Sequence, residues 1–193
     1  LSGYIYAVRD DNVYVNLYIA NQGTVQVNGA DITLEQTTNY PWDGSVTVDV
    51  KAEQTTTFTL KLRIPSWAQN RPLPGDLYRY IDTVDDPITI TVDGQAVPVD
   101  IQNGYVSITR AWGASSQIQI KLPMEVHRVV ANEQVQDLIG KVALERGPIV
   151  YAIESADNPA GVLDRVLGDD AALSVQHQAD LLGGITTIHG QAS

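Results

Sequence analysis

Apolar and polar residues alternate with a period of two along most of the chain, and turn-forming dipeptides break the alternation at short intervals. That pattern predicts β-strands. Val13-Tyr14-Val15-Asn16-Leu17-Tyr18-Ile19 reads as one strand rich in aromatic and β-branched residues. Val25 and Val27 lead into Asn28-Gly29, and Ile32 and Leu34 resume the pattern beyond it. Asn-Gly accepts the positive φ angles of a tight hairpin, so a two-residue turn is expected there. Tyr40-Pro41-Trp42-Asp43-Gly44 turns the chain into Val46, Val48 and Val50, with Thr47, Asp49 and Lys51 on the opposite face. Phe58, Leu60, Leu62 and Ile64 repeat the arrangement, with Thr59, Lys61 and Arg63 turned to water.

From Pro65 to Pro74 the chain reads as loop, because Pro72 and Pro74 oppose regular structure. The alternation resumes at Ile88, Ile90 and Val92. It runs through Asp93-Gly94 to Val97, Val99 and Ile101, and through Asn103-Gly104 to Val106 and Ile108. Ile118, Ile120 and Leu122 close the series at Pro123. Short strands with one buried and one wet face, joined by Gly turns, predict an all-β, antiparallel β-sandwich of jelly-roll or Ig-like architecture. Past Met124 the texture changes. Val126–Val130, Lys141–Glu145 and Ile149–Ile153 read as strands and Ala156–Asp170 as loop, while Asp170–Leu182 fits a short helix or a strand equally. Two packed sandwich units follow, residues 1–123 and residues 124–193, the second reading as incomplete.

Composition narrows the partners. The chain has 193 residues, 44% hydrophobic and 18% charged, which is globular rather than disordered. Twelve Lys and Arg against 23 Asp and Glu give a net charge of −11. That field repels phosphate backbones and anionic lipid, so neither nucleic acid nor membrane is an expected partner. There is no cysteine, which removes disulfides, thiolate metal ligands and a Cys nucleophile from this chain. Absence of Cys fits cytoplasmic and exported proteins alike. Leu1-Ser2-Gly3-Tyr4 is neither a signal peptide nor an ordinary translation start, so a chain cut from something longer is the expectation.

The candidate chemistry is thin. His127, His177 and His189 lack metal-ligand spacing and read as surface or capping histidines. Ser66, Ser107 and Ser174 have no nucleophile-elbow context. Asp10-Asp11, Asp85-Asp86 and Asp169-Asp170 are adjacent pairs. Glycoside hydrolysis instead needs two carboxylates facing each other across a bond, so turn-forming Asp is the better reading, with calcium a distant alternative. Trp42, Trp67 and Trp112, with nine tyrosines, are candidate sugar-stacking groups. Trp67 and Trp112 directly follow strand patterns, where aromatics seal sandwich ends, so packing is favoured over ligand stacking. No catalytic, cofactor-binding or metal-binding residue is assigned.

A resemblance adds what spacing does not. Gly3-Tyr4-Ile5-Tyr6 with Val13–Ile19, Tyr40-Pro41-Trp42-Asp43-Gly44 and Leu62-Arg63-Ile64-Pro65-Ser66-Trp67-Ala68 stand in the first half. Ile108-Thr109-Arg110-Ala111-Trp112, Leu122-Pro123-Met124-Glu125-Val126 and Lys141 through Tyr151 follow in the second. In this order they resemble the C-terminal region of bacterial glycoside hydrolase family 127, the β-L-arabinofuranosidase family. The resemblance implies an (α/α)6-barrel catalytic domain followed by two β-sandwiches, with a zinc-bound Cys nucleophile and a Glu acid/base in the barrel. Without Cys, none of those residues carries over, so zinc is implied only for the absent catalytic domain and no cofactor is expected in this chain. The reading is a non-catalytic accessory region whose partner is its own catalytic domain. Plant-type glycans and a second copy of the chain are further candidate partners, and a stand-alone carbohydrate-binding module with exposed Trp or Tyr is the alternative function. The family's aromatic-rich strand near the C-terminus has no counterpart after Gly190.

Overall fold

A computed structural model describes residues 2–83, 85–156, 158, 161–162 and 165–193. The strands follow in chain order. They are β1 (Tyr6–Arg9), β2 (Asn12–Val15), β3 (Asn21–Val27), β4 (Ala30–Thr38), β5 (Ser45–Ala52) and β6 (Thr56–Arg63). Next come β7 (Tyr78–Tyr80), β8 (Thr89–Val92), β9 (Gln95–Ala96), β10 (Ile101–Gln102), β11 (Tyr105–Trp112) and β12 (Ser116–Lys121). The last five are β13 (Val126–Ala131), β14 (Ala143–Arg146), β15 (Ile149–Tyr151), β16 (Ser174–Gln178) and β17 (Ile185–His189). Only three-residue 3-10 turns interrupt this all-β organisation, and no helix of the described residues is long and apolar enough to cross a membrane.

Two compact units result. The first comprises Leu1–Gln69 and Asp85–Pro123, the second Asn70–Val84 and Met124–Ser193. The C-terminal division falls where Pro123 suggests it, but residues 70–84, read as part of the first unit, belong to the second. The reason is backbone pairing: β7 adds to the edge of β13, with Tyr78 opposite Ala131 and Tyr80 opposite Val129.

In the first unit a five-stranded sheet, β1-β2-β6-β11-β10, and a six-stranded sheet, β3-β4-β5-β12-β8-β9, share one apolar core. Val13, Val15, Leu60 and Leu62 from the first sheet and Ile32, Leu34, Val48, Val50 and Ile118 from the second have no solvent exposure. Burying each such side chain contributes about 1.5–3 kcal/mol, so the alternating rows define which face turns inward. Asn28-Gly29, Asp93-Gly94 and Asn103-Gly104 all hold positive φ at both residues, the geometry of type I′ hairpins. The three dipeptides therefore turn the chain where the sequence predicts.

Three details depart from the alternation. Among the described residues every strand pairing is antiparallel except β2 with β6, which is parallel, Val13 opposite Leu60 and Val15 opposite Leu62. The chain spends β3 to β5 in the other sheet before returning, and so long a connection permits parallel entry. The strand expected over Val13–Ile19 ends at Val15. Beyond it the Leu17 carbonyl accepts from Gln36 Nε2 at 3.1 Å and the Tyr18 hydroxyl donates to the Arg63 carbonyl at 2.7 Å. Strand-forming side chains continue there, but their polar partners lie outside a ladder. Finally, Val97 and Val99 lie outside the strands, since β9 stops at Ala96.

The second unit contains a four-stranded sheet, β15-β14-β13-β7, and a two-stranded hairpin, β16-β17. β15 falls within its predicted segment, while β13 and β14 each run one residue past theirs, to Ala131 and Arg146. Asp170–Leu182 resolves as strand β16, because Val175 and His177 pair with Ile188 and Thr186 of β17. Of the predicted loop over Ala156–Asp170, residues 157, 159, 160, 163 and 164 lie outside the described residues.

Trp112 closes the core of the first unit. It has no solvent exposure, stacks on Phe58 with ring centroids 5.4 Å apart, and donates its indole N–H to the Phe58 carbonyl at 3.0 Å. Trp112→Ala is therefore expected to lower the unfolding free energy by about 3–5 kcal/mol in urea denaturation. Trp112→Phe, which keeps an aromatic ring but loses the donor, is expected to cost about 1–3 kcal/mol. An alanine variant within about 0.5 kcal/mol of the parent would contradict the assigned role.

Candidate functional site

Two clusters gather the chain's less ordinary side chains, one in each unit. In the first unit, Tyr-Pro-Trp-Asp-Gly and Arg-Ile-Pro-Ser-Trp meet at the sandwich end where β5 begins and β6 finishes. Tyr40 lies against Trp67, ring centroids 6.4 Å apart and planes within 25°, and Tyr18 meets Tyr40 edge-on at 6.1 Å. Trp67 opens a 3-10 turn whose Gln69 donates back to the Ile64 carbonyl at 3.1 Å. Burial drives the Tyr18 phenol far above its ordinary range, so it serves as a fixed neutral donor.

This geometry decides the stacking candidates. Trp67 is 7% exposed and Trp112 is fully buried. Neither offers a ring face to a sugar, so the module reading that relied on Trp67 or Trp112 is overturned by their packing. Trp42 is half-buried in the turn before β5.

In the second unit, β7, β13 and β14 bring Tyr80, His127 and Glu145 onto one face. His127 stands directly opposite Glu145 in the ladder, and Tyr80 is opposite Val129, two residues along. The Tyr80 ring stacks on the His127 ring, centroids 4.0 Å apart and planes within 13°. Its hydroxyl donates to Glu145 Oε1 at 2.8 Å. His127 is 4% and Glu145 8% exposed, which corrects the surface or capping reading of His127. The reason is the alternation of β13, which turns His127 to the same face as buried Val129. Asp82, just past β7, accepts from the Arg128 amide at 2.9 Å and lies 3.8 Å from its guanidinium. Arg128 in turn donates to the Ala171 carbonyl at 2.6 Å.

Burial lowers the His127 pKa against the opposing pull of the Asp82 carboxylate and backbone, and it raises Glu145 against the opposing Tyr80 hydrogen bond. Burial first, then the Glu145 contact, also raises Tyr80. Such a trio holds protons in place. It resembles an acid/base pair in composition only, because the rings and carboxyl are closed off by packing rather than arranged around a substrate-sized opening.

The remaining candidates are scattered. His177 is exposed, its Nδ1 3.4 Å from the Thr186 hydroxyl, and His189 Nε2 lies 2.8 Å from the Thr187 hydroxyl. Ser107 accepts from Lys61 at 2.9 Å, and Ser174 is exposed at the start of β16. Ser66 sits between β6 and the Trp67 turn. Asp10 and Asp11 occupy the β1–β2 turn, Asp85 and Asp86 are exposed between β7 and β8, and Asp169 and Asp170 form a turn before β16. Among the described residues no three His, Cys, Asp or Glu side chains group closely enough to hold a metal. Tyr80 and Glu145 were missed as a site from sequence. The available signal was Tyr78-Arg79-Tyr80, a short aromatic alternation inside a stretch dominated by Pro and Asp.

Family comparison fits this geometry. The model of the β-L-arabinofuranosidase GH127 middle domain matches residues 12–124, and that of the family 127 C-terminal domain matches residues 126–186. The chain belongs to glycoside hydrolase family 127. It is 35% identical over 96% of its length to the non-reducing end β-L-arabinofuranosidase of Bifidobacterium longum subsp. longum, of which it covers 26%. Among solved structures, a GH127 β-arabinofuranosidase superposes with a TM-score of 0.92 at 41% identity, over 98% of this chain and 30% of that one. The GH127 β-L-arabinofuranosidase of Geobacillus stearothermophilus T6 gives 0.86 at 35% identity, over 98% of this chain and 28% of that one. The chain thus spans between a quarter and a third of the relatives it matches, and it spans their middle and C-terminal portion.

The buried trio makes opposite pH demands. The folded pKa of His127 lies below its ordinary 6.5, so its contribution is present above that pH and lost on acidification. The folded pKa of Glu145 lies above its ordinary 4.5, so its contribution is present below that pH and lost as pH rises. His127→Gln is expected to flatten the loss of stability between pH 7 and pH 5, and Glu145→Gln to steepen it. Urea midpoints followed by the Tyr80 ring resonances check both, and variants that shift the profile in the same direction would contradict the assignment.

Proposed function

We propose that this chain is the β-sandwich accessory region of a bacterial GH127 β-L-arabinofuranosidase, packing on and supporting a catalytic (α/α)6 barrel. The observation that carries the reading is the consecutive match to the family's middle and C-terminal domains. The zinc that the family uses finds no fit here: the sequence has no cysteine, and the described residues form no cluster of metal donors. No catalytic step is therefore derived for this chain.

Its contribution is surface. Ile139, Val150 and Ile153 of the second unit are 64%, 66% and 59% exposed, and Leu182 is 85% exposed. So many large aliphatic groups facing water on a small unit favour burial against another domain. A barrel that covers them gains stability, and the substrate entrance gains a rigid wall.

Two measurements test this role. The isolated chain is expected to release no product from p-nitrophenyl β-L-arabinofuranoside, with or without added zinc, and turnover by a pure preparation would overturn the reading. In the full-length enzyme, Ile139→Asp with Val150→Asp is expected to lower the thermal midpoint while leaving the midpoint of the isolated chain unchanged. An unchanged full-length midpoint would remove the packing role.

A further inference from the structure

We infer that the outer face of the five-stranded sheet in the first unit binds a uronic-acid-containing glycan. The register of β1, β2, β6, β11 and β10 places every second side chain outward on one surface. Arg9, Tyr14, Lys61, Arg63 and Tyr105 stand among Asn12, Thr57, Thr59, Ser107, Thr109 and Gln102. No carboxylate occupies an outward position on these five strands. The nearest acids, Asp10 and Asp11 in the β1–β2 turn and Asp100 before the edge strand β10, lie at the rim. In a chain of net charge −11 this is a cationic island. The six-stranded sheet of the same unit shows the contrast, since its outward rows hold Asp31, Glu35 and Asp49 beside Lys51 and Lys121, with Lys51 3.2 Å from Glu35.

Arg9 pairs with Asp10 at the rim, 3.9 Å apart, whereas Lys61 and Arg63 are held in place on neutral partners. Tyr14 and Tyr105 flank β6 and meet above it, ring centroids 5.4 Å apart and nearly perpendicular. Tyr105 is fixed by donating its hydroxyl to Asn16 Oδ1 at 2.8 Å. The Lys61 ammonium sits 5.8 Å from the Tyr14 ring and donates to Ser107 Oγ at 2.9 Å. The exposed Arg63 guanidinium donates to the Asn16 carbonyl at 3.4 Å. Thr59 and Thr109 hydroxyls bridge β6 and β11 at 2.8 Å. Neither Lys61 nor Arg63 joins an ion pair with a carboxylate among the described residues.

These features specify the ligand class. Rings that present an apolar surface suit the C–H faces of a sugar, and a ladder of hydroxyls suits its hydroxyl groups. Lys61 and Arg63 rise from one strand with Cα atoms roughly 7 Å apart, and Arg63 offers the fork that matches a carboxylate. Holding the cations in advance on neutral partners reduces the ordering cost of binding. The chain's overall negative field confines an acidic glycan to this face and makes binding salt-sensitive. The face belongs to the first unit and the exposed aliphatic groups to the second, so the two readings stand or fall on different experiments.

The test is affinity electrophoresis and titration calorimetry of the whole chain. The probes are oligogalacturonate, neutral arabinan and polyglutamate, with folding of each variant verified by thermal unfolding. Oligogalacturonate is expected to bind and to be displaced by salt, while arabinan binds at least tenfold more weakly. Lys61→Gln with Arg63→Gln is expected to weaken binding at least tenfold, about 1.4 kcal/mol. Tyr14→Ala is expected to weaken it without changing the salt dependence. No binding of oligogalacturonate, or binding unchanged in the double variant, overturns the proposal. Equal binding of polyglutamate also overturns it, and would identify the island as a contact for acidic protein.

Discussion

The first unit depends on the register with which two apolar rows face each other. Val13, Val15, Leu60 and Leu62 must point inward together, and Val48, Val50, Ile32, Leu34 and Ile118 must answer from the other sheet. A slip of one residue in any strand would exchange its whole inward row for its outward one, placing Lys61 or Asp49 in the core. The cost of an unpaired buried charge far exceeds any gain from the altered pairing. Turn chemistry agrees with that register, since Asn28-Gly29, Asp93-Gly94 and Asn103-Gly104 each leave exactly the tight reversal that an in-register hairpin requires. Fixing the inward rows also fixes the outward ones, and that is how Tyr14, Lys61, Arg63 and Tyr105 come to share a face without any local motif linking them.

The second unit is held differently. Among its described residues Val129 is the hydrophobic side chain that reaches the burial of the first unit's core, and its companions in the interior are His127, Glu145 and Thr186. Polar interiors contribute to stability only as far as their members are satisfied. Here the Tyr80 hydroxyl satisfies Glu145 and Asp82 the Arg128 amide, while His127 Nδ1 is buried without a hydrogen-bond partner and is held by stacking on Tyr80. The arrangement binds β7 to the sheet by side chains as well as by backbone. It also explains why a three-residue strand from a distant segment keeps its place at an edge. With so little apolar burial of its own, the unit carries its aliphatic side chains outward, where a neighbouring domain can cover them.

How much of this was legible in the sequence follows from the kind of force involved. Strands β3 to β6, β8, β11 and β12 were readable because one face of each is buried, which writes a period of two into the residues. The hairpin turns were readable because positive φ at two successive positions selects Asn or Asp followed by Gly. The parallel union of β2 with β6 was not, because alternation records which face is buried and not which strand lies alongside. The overrun at Val13–Ile19 has a related cause: Leu17, Tyr18 and Ile19 have strand-forming side chains, but their backbone leaves the ladder for Gln36 and other partners that no local pattern reveals. β7 was lost among Pro and Asp, and its partner β13 lies some fifty residues on. His127 was misjudged by spacing to other histidines, although its place two residues before Val129 in an alternating strand already assigned it to the inside.

The buried titratable groups and the exposed surfaces belong to one physical account. Catalysis needs groups that converge on an opening with their proton affinities set apart. In this chain Tyr18, Tyr80, His127 and Glu145, like Tyr6, Tyr40 and Tyr151, have proton affinities displaced chiefly by burial. The groups that do reach solvent, Lys61, Arg63 and the outward hydroxyls, sit on a sheet whose rigidity comes from its buried face. Held there, they present a fixed pattern of shape and charge to solvent. A β-sandwich of this kind presents its outward rows as rigid surfaces, and what those surfaces touch is set by the same register that builds the core.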